Sequence, residues 1–280
     1  TAAGGTVTAT IVNSSRVSDL IELRQPNGSD NEVNAFTIAI SNADATGSSA
    51  ANLNTINDAT SVAVDATEIT SIASSPITAI NTLLAAAAAT PAEITNLDSL
   101  TELVISDTGT VSANTINTIV TNADAVNGAG TTAVNVASAS GVTGTEAHFD
   151  TLLTNEDNNL VTNLTTQALS VTGGTITASK ANTISATTTG VTTAEITNTQ
   201  RLTDLVGLNF TGSGGATANA YTITIADADA VVGDAANLNT IDARTSVAVD
   251  ASAVTQLTGT ASALNTLYGA ATSGTVTGLD

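Results

Sequence analysis

The sequence predicts a repeat solenoid: a β-solenoid in which ladders of parallel β-strands carry short α-helices in many of the turns. Three observations favour this fold class. The sequence repeats itself at two periods, its apolar residues are mostly small aliphatics, and their spacing switches between the helical and the strand period. The alternative is a string of small β-sandwich or α/β domains, each about half of the longer repeat.

The longer period is 185 residues, the distance from residue 36 to residue 221. At this shift FTIAISNADA (36–45) aligns with YTITIADADA (221–230), and 21 of the 37 pairs in the stretch beginning there are identical. We therefore divide the chain into one long repeat, 1–185 with arbitrary register, and the start of a second copy of it, 186–280. Such a chain is expected to be a window of a longer repetitive polypeptide.

A shorter period is marked by an Asn-Thr or Asp-Thr pair between aliphatic residues. Where the pattern is clear, successive pairs lie from 26 residues apart (Asn239 to Asn265) to 36 residues apart (Asn81 to Asn117). We call this unit the short repeat. One strand and one helix cannot close a core alone, whereas stacked units bury a continuous one. The pairs occur in NLNTIND (52–58), AINTLLA (79–85), NTINTIV (114–120), HFDTLLT (148–154), NLNTIDA (237–243) and ALNTLYG (263–269).

The first half of each short repeat has the apolar spacing of an α-helix. Helix starts are predicted at Thr90, which precedes Pro91 in TPAEITNLDSL, and at Thr145, which precedes Glu146. The stretch 114–126 fits a helix or a strand, and we assign it to a helix. The helically spaced apolar residues are Ala50, Leu53 and Ile56; Ile80, Leu83 and Leu84; Phe149, Leu152 and Leu153; and Leu264, Leu267 and Tyr268.

The second half of each short repeat alternates with period two and is rich in Val and Thr, which predicts a strand. Small aliphatic side chains suit a narrow interior whose neighbouring turns lie about 4.8 Å apart, where bulky rings would break the stacking. The predicted strands are TSVAVDA (60–66 and 245–251), TAVNVAS (132–138), ALSVTGGTITA (168–178), YTITIAD (221–227) and GTVTGLD (274–280).

The composition limits the partners of the chain. Hydrophobic residues make up 42% of the sequence but aromatic residues only 2%, so the apolar mass is aliphatic and sufficient for an ordered core. The net charge of −20 would repel nucleic acid, which is therefore not expected as a partner. No apolar stretch approaches the roughly 20 residues of a membrane span, so none is predicted.

Calcium is the one cofactor that the sequence suggests. The motifs NADA (42–45), NADA (122–125) and DADA (227–230) place side-chain oxygens at positions i and i+2, as candidates for one face of a loop. Hard oxygen ligands suit Ca²⁺, and turn formation by Asn and Asp is the alternative explanation. One histidine and no cysteine disfavour zinc. The candidate metal ligands are Asn42, Asp44, Asn122, Asp124, Asp227 and Asp229.

No catalytic set can be assembled, and the chain is not expected to be an enzyme. His148 is the only histidine, and its place beside Phe149 on a helical segment indicates a structural or surface role. A polysaccharide-degrading β-helix enzyme with bound calcium would need a basic residue as proton acceptor. Arg16 and Arg201 occupy equivalent positions of the long repeat, which favours a packing role in each copy over a single active site.

The stretches ANLNTI, TSVAVDAS, PAEITNLDSLTEL and GTASALNTLYGAATSGTVTGLD resemble those of giant Ala/Thr/Asn-rich repeat proteins of cyanobacteria. These are very long surface or secreted polypeptides of the adhesin type. The resemblance covers most of the chain and implies an extracellular structural role. It offers no site motif that could be carried over to residues of this sequence.

Together these observations predict a structural repeat protein of the cell surface or extracellular matrix. We expect it to self-associate, head to tail or laterally, into a filament, sheath or surface layer. The alternative function is a calcium-stabilised adhesin segment that binds glycan or other cells. More remote alternatives are the polysaccharide-degrading β-helix enzyme and a phage fibre.

Overall fold

The computed structural model describes residues 6–11, 16–23, 34–40, 48–226 and 232–279. Over these residues the fold is mixed α/β, and short strands in small parallel sheets alternate along the chain with helices. The prediction of parallel strand pairs with short helices between them is confirmed at this level.

Along the described chain, each helix is followed by one or more short strands before the next helix, in the order of the helix and strand halves of the short repeat. The helices are α1 (Val17–Leu20), α2 (Ala50–Asp58), α3 (Ile77–Ala88), α4 (Ala113–Asn127), α5 (Glu146–Asp157), α6 (Ala178–Ala186), α7 (Leu202–Leu205), α8 (Ala235–Asp242) and α9 (Ala261–Ser273). The strands are β1 (Thr8–Thr10), β2 (Ala35–Thr37), β3 (Ser48–Ser49), β4 (Val64–Asp65), β5 (Ile72–Ala73), β6 (Ile94–Thr95), β7 (Glu102–Val104), β8 (Thr110–Ser112), β9 (Ala133–Asn135), β10 (Gly141–Gly144), β11 (Val161–Thr162), β12 (Ala168–Ile176), β13 (Thr192–Ile196), β14 (Ala220–Thr222), β15 (Val232–Asp234), β16 (Val249–Asp250), β17 (Gln256–Thr258) and β18 (Val276–Thr277).

The chain divides into two compact units. Unit 1 comprises Thr1–Ala139 and Thr154–Thr162, and unit 2 comprises Ser140–Leu153 and Asn163–Asp280. Both units contain strands and helices of several successive short repeats.

In unit 1 each named strand pair is parallel and joins neighbouring short repeats. β1 pairs with β2, β3 with β5, β4 with β6, and β9 with both β7 and β11. The helices follow the same rule, because α1 packs on α2, α2 on α3, and α3 on α4. Every element of unit 1 named here therefore contacts an element of the same kind in a neighbouring short repeat.

Unit 2 is built in the same way. Strands β10, β12, β13 and β14 form a parallel ladder in that order, β15 pairs with β17, and β16 pairs with β18. Helices α6 to α9 pack consecutively. The register of β12 against β13 shifts between Ser170 and Thr175, which marks an irregularity in an otherwise regular ladder.

The 185-residue period of the sequence is matched element by element. Strand β2 corresponds to β14, helix α2 to α8, and strand β4 to β16. The helix starts also correspond, since the Ser49 hydroxyl accepts from the backbone N–H of Asn52 and the Asp234 carboxylate accepts from that of Asn237. A serine and an aspartate therefore serve the same N-cap role in the two copies.

Most predicted elements are found, and the differences have local causes. The stretch 114–126 is helical within α4, and α5 begins directly after Thr145, as predicted. The helix start at Thr90 is wrong. The helical spacing of Ile94 and Leu97 belongs to an extended stretch in which Asn96 has a φ of 60°, a left-handed conformation that an α-helix does not tolerate.

The core consists mainly of aliphatic side chains contributed by every helix and strand half. Ile56, Ile80 and Leu83 are fully buried, as the helical spacing predicted. Phe149 and Tyr221 are also fully buried and Phe36 is 8% exposed, so rings enter the interior at three described positions, contrary to the expectation that they would break the stacking. Among the described residues, no helix is both long and apolar enough to cross a membrane.

Candidate functional site

Four of the six candidate calcium ligands lie outside the described residues. These four belong to the first and third of the Asn/Asp-Ala motifs and are Asn42, Asp44, Asp227 and Asp229.

The other two candidates, Asn122 and Asp124, lie within helix α4. Positions two apart on a helix differ by about 200° around the axis, so these side chains do not share the face of a loop. The Asn122 amide donates to Oδ1 of Asn81 at 3.4 Å, and Oδ1 of Asp124 accepts from the backbone N–H of Gly130 at 2.9 Å. No group of three or more His, Asp or Glu side chains suited to a metal occurs in the described part of the chain, and calcium binding stays a prediction.

His148 lies in the first turn of α5 and exchanges hydrogen bonds with Thr145. Its Nδ1 accepts from the backbone N–H of Thr145, and the Thr145 hydroxyl accepts from the backbone N–H of His148, both at 3.4 Å. This reciprocal arrangement is a capping box with histidine in the place of the usual Glu or Gln. The geometry gives His148 a structural task at a helix start.

Asp65 and Asp250 occupy equivalent positions of the long repeat and are the carboxylates most affected by their surroundings. Hydrogen bonds from the Asn96 amide and from the Thr67 hydroxyl hold the pKa of Asp65 below its ordinary value. At Asp250 the backbone N–H of Ser252, 2.9 Å from Oδ1, and then the Ser252 side chain lower the pKa. In both aspartates these hydrogen bonds favour the charged form of the carboxylate.

The threonine of each Asn-Thr or Asp-Thr pair has one constant role. Its hydroxyl donates to the backbone carbonyl four residues earlier in the same helix, a bond that satisfies the hydroxyl locally and keeps it on the solvent side. Seven threonines of such pairs have this bond: Thr55, Thr82, Thr118, Thr151, Thr183, Thr240 and Thr266.

The Asn of the pair usually reaches the next helix instead. The Asn54 amide donates to the carbonyl of Ala79 at 3.0 Å, and its counterpart Asn239 donates to that of Ala263 at 2.9 Å. Asn182 donates to the carbonyl of Gly207, just after α7, at 2.8 Å. These three asparagines thus link their helices to the next short repeat.

We call the Asn or Asp residues of the successive pairs the asparagine row. Three further members of this row bond to side chains instead of backbone carbonyls. Oδ1 of Asn81 accepts from the amide of Asn122, as described above, and Oδ1 of Asn117 accepts from the amide of Asn155 at 3.1 Å. Asp150, which replaces the asparagine in the fourth pair of the row, forms an ion pair with Lys180. The link between successive helices is therefore kept where aspartate replaces asparagine.

Buried threonines hold the strand halves together. The Thr60 hydroxyl accepts from the backbone N–H groups of Phe36 (2.9 Å) and Val62 (3.1 Å) and donates to the carbonyl of Phe36 (2.7 Å). Thr245 makes the same three bonds to Tyr221 and Val247 at 2.9, 2.7 and 3.1 Å. In both copies one threonine hydroxyl forms hydrogen bonds with backbone groups of two neighbouring short repeats.

Several helix starts are capped from the next short repeat. The backbone N–H of Ala50 donates to the hydroxyl of Ser75 at 3.0 Å, 25 residues later. The N–H of Ile77 donates to the Asp107 carboxylate at 2.7 Å, 30 residues later, although the local N-cap residue is a proline without a side-chain cap. The N–H of Ala178 donates to the amide oxygen of Gln200 at 3.1 Å, 22 residues later.

A cavity of about 680 Å³ lies beside the C-terminal ends of α2 and α3. Its polar lining includes Asn57, Asp58, Ser61 and Glu93. The Asn57 amide donates to Oε2 of Glu93 at 3.1 Å, and the Ser61 hydroxyl donates to the carbonyl of Asn34 at 3.3 Å. The Ser61 hydroxyl and the Glu93 carboxylate of this lining are thus engaged in hydrogen bonds within the protein.

The Asn-Thr pairs are visible in the sequence, but their contacts are not. The pair Asn182 and Thr183 was missed, because the regular spacing of the pairs is lost in that part of the chain. The signal that could have found them is the tetrapeptide ANTI, with an aliphatic residue on each side of the pair. Searches against protein-family models, curated proteins and solved structures gave no match to the chain.

Proposed function

We propose that the chain is a structural repeat protein of the cell surface or extracellular matrix. Its short repeats stack as a solenoid within each unit, and the protein self-associates into a filament, sheath or surface layer. Its function is to provide length and contact surface, without catalysis.

The observation that carries this proposal is the consistent direction of the backbone pairing. Partners in the named strand pairs are separated by as few as 20 residues (Thr175 with Glu195) and as many as 31 (Glu102 with Ala133). All these pairs are parallel. Stacking of each short repeat on the next in a solenoid would give this pattern, which therefore supports the proposal.

The polar side chains support the same interpretation. The asparagine row, the buried threonines and the caps from the next short repeat all direct hydrogen bonds between successive short repeats. In an enzyme or a ligand-binding module, polar groups would instead converge on one cavity. Here the polar groups are distributed along the stacked short repeats, as expected of a protein whose function is to present a long surface.

Charge and composition favour an extracellular location. A net charge of −20 on 280 residues keeps a repetitive aliphatic protein soluble while its stacking surfaces remain apolar. The resemblance to giant surface polypeptides of cyanobacteria points to the same location.

Electron microscopy and fibre diffraction of the purified chain test this proposal. We expect fibrous material and, in aligned fibres, a reflection near 4.8 Å from the strand spacing of stacked short repeats. A string of separate domains would appear beaded and lack this reflection. A monodisperse compact monomer in light scattering, at all concentrations, would contradict the proposed self-association.

A further inference from the structure

The cavity beside the C-terminal ends of α2 and α3 is negatively charged. Asp58, the last residue of α2, and Glu93, which directly precedes β6, are the charged residues of its described lining. The lining also includes Ala89, the C-cap residue of α3. Because a helix carries partial negative charge at its C-terminal end, both helix ends add to the charge of the two carboxylates. This combination favours a positively charged ligand.

Glu93 is held in place by three hydrogen bonds. Its backbone N–H donates to the carbonyl of Ala86 at 3.0 Å, and its own carbonyl accepts from the N–H of Val64 at 2.9 Å. Its carboxylate accepts from the Asn57 amide at 3.1 Å. Asp58, by contrast, is exposed and has no hydrogen-bond or ionic partner within the described ranges. The cavity therefore combines one positioned carboxylate with one that is available to a ligand.

Unit 2 contains the same backbone arrangement, centred on Thr275. The Thr275 N–H donates to the carbonyl of Ala270 at 3.1 Å, and the Thr275 carbonyl accepts from the N–H of Val249 at 2.8 Å. The Thr275 hydroxyl donates to Oδ2 of Asp242 at 3.1 Å, so a bond to the end of α8 matches the bond of Glu93 to the end of α2. Thr275 therefore takes the place of Glu93 in the second copy of the long repeat.

The two copies differ in what surrounds this arrangement. Ala243 stands in unit 2 where unit 1 has Asp58, and the neutral Thr275 replaces Glu93. The N–H of Glu93 bonds a carbonyl seven residues earlier and that of Thr275 bonds one five residues earlier, so the loop is two residues longer in unit 1. Residues 90–92 of this longer loop line the cavity. Since unit 2 forms the arrangement with a shorter loop and without these two carboxylates, packing of the short repeats does not require them.

The size of the cavity indicates an organic ligand. Its volume of about 680 Å³ lies within the range of small-molecule sites, and a single metal ion would fill little of it. A second cavity of about 400 Å³ shares Asp58 and Glu93 and extends between α2 and α3 past Asn54 and Asn81. We call the two cavities together the α2–α3 groove. Alanine residues near the end of α3 form part of its lining, so the groove suits a linear ligand in which charged groups alternate with methylene segments.

We infer that the α2–α3 groove binds a linear aliphatic polyamine. The ammonium groups of such a ligand donate charge-assisted hydrogen bonds to Asp58 and Glu93, and its methylene segments lie against the alanines. A neutral sugar would leave both carboxylates without a counter-charge, and a divalent ion would leave most of the groove to water. The inference adds ligand binding to the proposed structural function and does not depend on self-association.

Isothermal titration calorimetry with spermidine tests this inference. About 0.15 M sodium chloride in the buffer screens the general attraction of a polyamine to a chain of net charge −20. The test variant combines Asp58→Asn with Glu93→Gln, which removes both charges and keeps the shape of the side chains. The matched control combines Asp98→Asn with Glu102→Gln, two residues outside the lining of the groove. Asp98 is exposed like Asp58, and Glu102 accepts from the Asn135 amide at 2.9 Å, as Glu93 accepts from an asparagine.

We expect the unmodified chain to bind spermidine at one saturable site. The test variant should raise the dissociation constant by about tenfold or more, since charge-assisted hydrogen bonds are lost. The control should stay within about twofold of the unmodified chain, and circular dichroism verifies that each variant is folded.

Equal binding by the test variant and the control, a lack of saturation, or a groove that takes Ca²⁺ or a neutral sugar but not spermidine would overturn the inference. Light scattering of the same samples without spermidine measures self-association separately. Failure of the inference would therefore leave the proposed function intact, and a chain that binds spermidine but stays monomeric would contradict the proposed self-association alone.

Discussion

Replacing Thr60 by valine removes one buried hydroxyl and keeps the shape of the side chain. Three backbone groups lose their partner: the N–H and carbonyl of Phe36 and the N–H of Val62. Thr60 is only 8% exposed, so water cannot readily replace the hydroxyl. At about 1 kcal/mol for each hydrogen bond, we expect the free energy of unfolding to fall by about 3 kcal/mol. Thr245→Val should have a similar effect in unit 2, because its three bonds have the same lengths within 0.1 Å.

Urea unfolding followed by circular dichroism measures this loss. The control is Thr118→Val in helix α4, where the hydroxyl is exposed and bonds only the carbonyl of Asn114. The control should change the free energy of unfolding by less than about 0.5 kcal/mol. If Thr60→Val were as stable as the control, the buried hydroxyl could not be a link between short repeats.

Two further predictions concern acid and calcium. Because the pKa of Asp65 is lowered in the folded state, its anion stabilises the fold above the ordinary pKa of an aspartate, and this contribution disappears as the pH falls through the lowered value. The free energy of unfolding of the unmodified chain and of Asp65→Ala can be compared in urea at pH 6 and again near pH 3. The difference between them should be smaller in acid. An equal difference at both pH values would contradict the assigned hydrogen bonds. If the Asn/Asp-Ala motifs bind calcium, Ca²⁺ should raise the melting temperature and EDTA should reverse the change, since a ligand that binds only the folded state stabilises it; a melting temperature unaffected by both would rule out this cofactor.

The helices that carry the Asn-Thr or Asp-Thr pairs recognised in the sequence could be predicted because they depend on neighbours within one turn, whereas α1, α6 and α7 were not predicted. Apolar residues three and four apart bury one side of a helix wherever it packs, so Leu53 and Ile56 identify α2 without knowledge of its partner. The helix predicted to start at Thr90 was wrong. There a single backbone conformation at Asn96 decides against a helix, and asparagine is compatible with both outcomes.

The roles of the polar residues could not be predicted, because they depend on which segments become neighbours in space. NADA at 122–125 was predicted both as part of a helix and as one face of a loop, and its packing in helix α4 decides between the two. Ser75 and Asp107 follow no local capping pattern for α2 and α3, since each caps a helix that precedes it by a whole short repeat. Only the periodicity of the Asn-Thr pairs was visible in advance, as a regular spacing without an assigned contact.

The caps contributed by the next short repeat have a consequence for synthesis of the chain. The ribosome makes Ala50 before Ser75 and Ile77 before Asp107, so the first turns of α2 and α3 lack these acceptors until 25 and 30 more residues have been translated. Until then the first turns of α2 and α3 in a nascent chain are incompletely bonded, and later residues complete them. Folding during translation would follow elongation with a lag of about one short repeat.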